Sequence, residues 1–425
     1  MWFKDFMFYL FVTVALINVL HFGFYLVGAN VYDIWQSFRI GKLPKNSNKQ
    51  RPLVSVLIPA HNEEKSIIRC LDSVRRNSYR KIEIIVIDDA STDNTAQLVM
   101  NYICKHPNRS ISLLVMPKNR GKAGALNHAL GRQAQGDLIM TLDADSVLHK
   151  QAIKNAVTYF DDPKIAGVAA NVRIMDTSTI LGLLQKFEHM IGYRSKKFYS
   201  MVNSEFIVGG VASTYRRSIL QEVDLYDEDT VTEDIGLSLK VVSLGNHSHR
   251  IIYAADVVAK TEGVQTFGAL VKQRYRWKMG NLQNLLKNRQ LFANNGEQYS
   301  RALTMYRIPM AFLGELLLLL EPLLLGYIIY LSFLFHNPSI LFGAYITITL
   351  YILWNLWPDE HTSWLHKLQL TVYAPFMYFV FYTMNVVQYA AIIRCLFNYK
   401  QVLRQGESVG NWVSPERSGQ PVQLS

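Results

Sequence analysis

Cysteine is scarce in this chain of 425 residues. Cys70, Cys104 and Cys395 are too few and too scattered for a disulfide framework or a zinc site. That scarcity points to a reduced environment for the middle of the chain. Acidic side chains are the rarer charge, 33 against 44 Lys and Arg, which leaves a formal net charge of +11. No concentrated basic face with interleaved aromatics accompanies that excess, so a nucleic-acid partner is excluded. No Gly-Lys-Ser/Thr phosphate loop is present, which argues against ATP hydrolysis. No small-residue cleavage site follows the N-terminal apolar run, so the run is expected to be an anchor and not a removed signal. No internal repeat stands out.

Charge is also missing locally. Residues 6–32 and most of 303–398 carry almost none, while the segment between them has ordinary globular patterning. Residues 6–32 are long enough to cross a hydrocarbon layer about 30 Å thick. Lys42, Lys45, Lys49 and Arg51 follow this run, and basic flanks favour the cytoplasmic side. Further spans are expected near 303–335, 340–356 and 370–393. Pro309, Glu315 and Glu321–Pro322 interrupt the first of these, which leaves one kinked span or a span plus an interfacial helix. Trp354, Trp357 and Trp364 mark an interface. Three such crossings would export a tail whose Arg394, Lys400 and Arg404 favour the cytoplasm, so one segment is expected not to cross or one crossing is hidden. The divisions expected are an N-terminal membrane helix (1–34), a basic linker (35–52), a catalytic domain (53–260), interfacial helices (261–300), a membrane region (301–398) and a polar tail (399–425).

The central segment alternates strands and helices. Residues 53–59, 82–87, 111–116 and 137–142 read as buried strands. Helices are expected from Asn62–Glu63 onward, at 95–102 with Thr92 or Asp93 as cap, and at 122–134. This order predicts an α/β domain with an open sheet and crossover helices. Ligands in such sheets gather beyond the carboxyl ends of the strands, where Asp88–Asp89 and Asp143–Ala144–Asp145 fall. Beyond Asp145 the pattern loosens, with a strand at 165–172, helices at 180–199 and 234–243, a Gly209–Gly210 turn and a short strand at 249–253. Residues 266–286 have helical spacing with Lys272, Arg274, Arg276 and Lys278 among apolar positions, which suits a helix on a membrane surface with basic residues toward the headgroups.

Alternating carboxylates at a strand end suit a hard divalent cation, which neutralises a departing diphosphate. Oxygen-only ligation suits Mg2+ or Mn2+, with Asp145 the direct ligand and Asp143 supporting it from the ribose side. Lys122, in Arg120–Gly121–Lys122–Ala123–Gly124, brings a cation toward phosphates. Thr232–Glu233–Asp234 opens a helix and has two readings: a plain N-terminal cap, or a carboxylate that takes a hydroxyl proton. Gln273, Arg276 and Trp277 cover one helical turn, arginine suiting a diphosphate and tryptophan a sugar ring. An ordinary interfacial Arg/Trp pair is the other reading.

Six segments in order, PAHNEE, IDDASTDNT, NRGKAGALN, LDADS, VTEDIGLSLK and QRYRW, make residues 53–280 resemble the processive family-2 glycosyltransferases. These are the membrane synthases of cellulose, chitin, hyaluronan and poly-N-acetylglucosamine, and the bacterial poly-N-acetylglucosamine synthases are the most similar. The resemblance implies a GT-A type nucleotide-sugar-binding fold with a mostly parallel sheet, flanked by transmembrane and interfacial helices. It implies a UDP-sugar donor, Mg2+ or Mn2+, and a catalytic domain on the cytoplasmic face of a bacterial inner membrane. Asp234 becomes the catalytic base, with Glu233 beside it. Pro59, His61, Glu63, Asp89, Lys122 and Asp143 fall at the donor site, Asp143 and Asp145 at the metal. Gly209, Gly210, Gln273, Arg276 and Trp277 serve acceptor and diphosphate. His61 departs from the tyrosine frequent in cellulose synthases, which implies a different packing of uracil. The expected function is inverting, processive transfer from UDP-N-acetylglucosamine into an exported β-linked polysaccharide. The alternatives are a single transfer to a lipid or oligosaccharide, or a nucleotide-sugar-sensing assembly subunit. Expected partners are the UDP-sugar, the nascent polysaccharide, the lipid bilayer and a small membrane accessory subunit or export partner.

Overall fold

The computed structural model describes residues 2–40, 51–108, 110–175 and 179–403. Lys42, Lys45, Lys49 and Arg404 lie outside the described residues, as do most of the expected linker and tail. The central unit begins with β1 (Val54–Ala60), α2 (Ile67–Arg75), β2 (Ile82–Asp88), α3 (Thr95–Lys105), β3 (Ile111–Val115), α4 (Gly121–Arg132) and β4 (Leu138–Thr141), after an N-terminal helix α1 (Trp2–Ile40). These strands lie side by side in the order β3-β2-β1-β4, all parallel. Strands covered on both faces read as continuous apolar runs, and every residue of β1 is buried. Alternate residues serve opposite cores. Val54, Val56 and Ile58 face α2 and α3, whereas Leu57 and, on β2, Ile85 and Ile87 face α4. Pro59 supplies no N–H, which a central strand would need. β4 pairs only with Val54 to Leu57, so Pro59 sits past the point where that neighbour ends.

The expected start of a helix at Asn62–Glu63 is corrected. Asn62 holds a left-handed φ of 55°, and the Glu63 carbonyl accepts the Ser66 and Ile67 amides in a turn. Helix α2 therefore begins at Ile67. At the next helix the N-cap position falls to Asn94 and not to Thr92 or Asp93, while Asp93, one residue earlier, accepts the Thr95 amide through Oδ1 at 3.0 Å.

The second half continues with β5 (Val147–Leu148), α5 (Ala152–Tyr159), β6 (Ile165–Ile174), α6 (Ile180–Met201), β7 (Ser213–Arg216), α7 (Arg217–Glu222), α8 (Glu233–Ser243), β8 (Arg250–Thr261) and α9 (Phe267–Lys287). Among the described residues one eight-stranded sheet runs β3-β2-β1-β4-β7-β6-β8-β5. β7 is antiparallel to both β4 and β6, whereas β8 is parallel to β6. The strand expected at 249–253 is twelve residues long. It pairs with β6 through a register shift between Ala170 and Asn171, where the alternation that marks a strand is interrupted.

Outside this unit lie α1, α10 (Ile308–Leu334), α11 (Ser339–Leu356), α12 (Trp364–Phe397) and α13 (Tyr399–Leu403). α1 runs on to Ile40, past the boundary expected at 34, because its apolar stretch continues into the segment read as linker. A π-helical turn, Ala302–Arg307, leads into α10 without a break, so the interrupted segment is one continuous helix. Three helical stretches are long and apolar enough to cross a membrane: Asp5–Phe38, Ala302–Leu334 and Trp364–Phe397. Phe8, Leu16, Phe24, Phe333 and Phe342 expose large apolar surfaces, as lipid-facing residues do.

Candidate active site

Four charged side chains meet where β4 ends and α8 begins. Lys122, on the first turn of α4, places Nζ 2.5 Å from Asp143 Oδ1 and 3.3 Å from Glu233 Oε1. Burial opposes the Lys122 charge, but Asp143, Glu233 and Asp234 together outweigh it and hold the ammonium well above its ordinary pKa. Asp234 is pushed up to about 6, first by burial and then by Glu233, with Lys122 and the Ile235 amide acting against the shift. The Asp234 Oδ1 accepts that amide at 2.9 Å. A carboxyl poised near neutral pH at a helix start is suited to accept a proton. Lys122, Thr141, Gly210, Tyr226, Glu233 and Asp234 line one narrow crevice. At Gly210 a Cβ would meet the Lys122 ammonium, so a larger residue there would push that side chain aside. Gly209 has open space around its α-carbon.

Of the capping reading of Thr232–Glu233–Asp234, only the Asp234 bond to the first-turn amide of Ile235 is present. Thr232 is the N-cap residue of α8 but makes no side-chain capping bond. Its hydroxyl accepts instead from Asn284 Nδ2 of α9, at 3.0 Å.

The other acidic strand end is built differently. Asp89 is fully buried, and its two carboxylate oxygens accept the Arg120 and Gly121 amides, each at 2.9 Å. Burial raises its pKa, partly countered by those two amides. Gly121, at a φ of 77°, makes this approach of backbone to carboxylate possible. Asp89 thus fixes the loop that carries Lys122. Glu63 is buried and accepts the Ser66 hydroxyl at 2.7 Å, holding the turn before α2. His61 Nδ1 lies 2.8 Å from the Asp89 carbonyl, so that nitrogen carries the proton. Its Nε2 then accepts from Asn62 and Asn119 at 3.3 and 3.4 Å. His61 remains half-exposed beside Pro59, at the open end of β1.

Asp145 is buried, and its Oδ1 accepts from Ser146 Oγ at 2.9 Å and Thr261 Oγ1 at 3.2 Å. Among the described residues no three His, Cys, Asp or Glu groups gather closely enough to hold an ion between them. Mg2+ and Mn2+ take one or two protein carboxylates and complete their shells with water and substrate phosphate. Asp143 and Asp145 are two carboxylates that follow the end of β4.

The motif on α9 is only partly as expected. Arg276 and Trp277 are exposed, and Gln273 is half-buried with its Oε1 unpartnered. Arg274 and Lys278, expected to reach headgroups, turn inward. Arg274 is 3% exposed, pairs with Glu188 of α6 at 2.5 Å and stacks over Trp277 at 4.2 Å. Lys278 pairs with Glu315 of α10 at 2.7 Å. Burial lowers the Arg274 pKa against the pull of Glu188 and raises that of Glu188 against Arg274. Sequence reasoning passed over Arg274 because its charge matched the basic face around it. The second face of α9 is seated on α8: a Cβ on Gly280 would collide with Thr232, and Asn284 Nδ2 donates to the Thr232 carbonyl at 2.9 Å. A cavity of about 50 Å³ lies elsewhere, among Arg173, Lys186, His189, Arg194 and Asp359.

The sheet order sets the acidic strand end and the ammonium-bridged carboxylates beyond the carboxyl ends of parallel strands, where open α/β sheets bind ligands. Residues 55–224 match the family model described as Glycosyl transferase family 2. The chain is 34% identical over 272 residues to the poly-beta-1,6-N-acetyl-D-glucosamine synthase of Staphylococcus aureus, and 33% identical to that of Staphylococcus epidermidis. Each alignment covers 62% of this chain, which spans 64% of the length of these curated relatives. Among solved structures, a mannosyltransferase from Pyrobaculum calidifontis in complex with GDP-Man and Mn2+ aligns with a TM-score of 0.55. That alignment covers 92% of this chain and 99% of the mannosyltransferase at 23% identity, a likeness of fold. The fold is GT-A.

Proposed function

We propose that this protein is an inverting N-acetylglucosaminyltransferase that polymerises UDP-N-acetylglucosamine into a β-linked polysaccharide and exports it. The observation that carries the reading is the Lys122–Asp143–Glu233–Asp234 cluster. It sets a proton acceptor of raised pKa beside a cation at the strand end where a diphosphate would lie. The poly-N-acetylglucosamine synthases among its relatives support the choice of sugar.

In this reading Asp234 removes the proton from the acceptor hydroxyl as that oxygen bonds to the anomeric carbon. The bond from that carbon to the diphosphate breaks on the opposite face, and its electron pair leaves with UDP. Attack opposite the leaving group converts an α-linked donor into a β-linked product. Lys122 and Arg276 meet the charge gathering on the diphosphate, and Trp277, held flat by Arg274, offers a wall to the acceptor ring. Mg2+ or Mn2+, held by Asp143 and Asp145, would supply further neutralisation of the diphosphate. His61, Glu63 and Asp89 shape the nucleoside end, Asp89 through the loop it fixes. Gly209 and Gly210 leave room for the acceptor sugar.

The basic residues after α1 support a catalytic unit on the cytoplasmic side of a bacterial inner membrane. The growing polymer, the bilayer and a small accessory or export subunit are the partners of this reading. Purified full-length chain given radiolabelled UDP-sugars and Mn2+, with products separated by size, tests it. Long polymer from UDP-N-acetylglucosamine is the expected result. Single-sugar adducts alone would overturn polymerisation, and no UDP release from any donor would overturn the transferase itself.

A further inference from the structure

Two cations near the crevice have no part in the chemistry described above. Lys196 lies on the last turns of α6. Burial, and then Arg307, lower its pKa against the pull of Glu205 and Asp234. Arg307 ends the π-helical turn that leads into α10. Its guanidinium lies over the rings of Tyr199 and Phe206, 4.0 and 4.9 Å from their centroids. Holding a charge out of water is costly, so the groups that each cation serves show what its place achieves. Both serve one short segment, and π turns recur at functional sites.

Residues 205–209 lie in no strand or helix, so side chains must satisfy their backbone groups. Glu205 is 1% exposed. Its Oε1 accepts the amides of Phe206 and Ile207 at 3.1 and 2.8 Å, while its Oε2 is buried without a partner. Lys196 Nζ donates to the Ile207 carbonyl at 2.7 Å. Ile207 is thus held by side chains at both its amide and its carbonyl. Phe206, under Arg307, is fully buried. The far end of the segment is fastened to the site itself. The Val208 amide donates to Ser238 Oγ of α8 at 3.1 Å, and that hydroxyl donates to the Asp234 carbonyl at 2.7 Å. The Gly210 carbonyl accepts from Thr141 Oγ1 of β4 at 3.2 Å. Val208 and Gly210 then form one wall of the crevice that holds Asp234.

We propose, on the transferase reading above, that Lys196 and Arg307 are positioning residues for the acceptor sugar, acting through the segment Phe206 to Gly210. Lys196 sets where Ile207 lies along the chain, and Arg307 sets how Phe206 is seated beneath it. Together they fix the wall of Val208 and Gly210 relative to Asp234. Donor-side groups are held by bonds of their own: Lys122 by Asp143, and the loop before it by Asp89. Loss of either cation should therefore fall on the acceptor and spare the donor. Arg307 stands at the head of the long apolar helix α10, so the acceptor wall is also tied to that helix.

Lys196→Met keeps the bulk of the side chain and removes its N–H donors. In solubilised full-length chain, given a short β-linked N-acetylglucosamine oligosaccharide as acceptor, it should raise the acceptor KM about tenfold, the scale of one lost charge-assisted bond. The KM for UDP-N-acetylglucosamine and the thermal midpoint should change little. Arg307→Lys, which keeps the charge and loses the flat stack, should act in the same direction by less. An unchanged acceptor KM, or an equal rise in both KM values, would overturn this role. Hydrogen exchange reads the segment without turnover. Amides across residues 205–212 should exchange faster in both variants while those of β1 stay protected. Unchanged exchange there would overturn the hold of the two cations on the segment. A parent chain that releases no UDP would overturn the transferase reading, and the exchange result would then judge that hold alone.

Discussion

Two acidic strand ends lie a few residues from Lys122, and they are used in opposite ways. At Asp89 both carboxylate oxygens are taken by backbone amides of the loop that opens α4. Those donors cannot move without moving the chain, so the acid is a fixed strut. At Asp143, Glu233 and Asp234 the balancing charge is a lysine ammonium at the end of a flexible stem. An ammonium on four methylenes can turn to an arriving diphosphate and leave the carboxylates to other work. The difference teaches that the kind of donor, amide or ammonium, says more than burial does about how freely an acid can exchange its partner.

The largest expected effect is on the reacting side. Asp234→Asn should lower sugar transfer by about 10²–10⁴ while the thermal midpoint and UDP binding stay near those of the parent, checked by labelled-sugar incorporation and calorimetry. Normal incorporation would return Asp234 to a structural role. Asp145→Ala should abolish the stimulation of turnover by Mn2+. A full response to added metal would mean that the ligand is elsewhere. A subtler break is in pH dependence. With Asp234 at about 6, kcat/KM should fall below that pH, because the protonated carboxyl cannot accept a proton. Lys122 acts to lower that pKa, so Lys122→Met should move the acid limb upward as well as slowing transfer. A limb that stays in place would detach Lys122 from the base. The smallest effect on chemistry belongs to the strut: Asp89→Ala leaves two buried amides unmet, costing about 1–3 kcal/mol of stability, read from unfolding of the solubilised chain.

The parallel half of the sheet was legible in the sequence because β1, β2 and β4 are buried on both faces, and apolar runs ending in acids are hard to mistake. Helix starts were less so. Asn62 and Glu63 look like a cap, and nothing local announces that Asn62 takes a left-handed turn. The second half was read only in outline, since β7 runs against its neighbours and β8 spans a register shift. At the site, Asp234, Lys122 and Asp143 were found by motif and do meet. The amide partners of Asp89 were not legible, because backbone donors leave no mark on residue type. Arg274 was missed for a related reason: a charge on an amphipathic helix reads as solvated until its partner, Glu188 on a distant helix, is known.

The seat of α9 on Thr232 fixes a distance inside the site. A helix slides against its neighbour only in steps set by its side-chain ridges. Gly280 against Thr232, with Asn284 and Gln283 pinned beside it, admits one longitudinal setting. Asp234 on α8 and Trp277 on α9 are thereby gauged against each other directly, however the long segment between them is arranged. Their spacing is a matter of one absent methyl group.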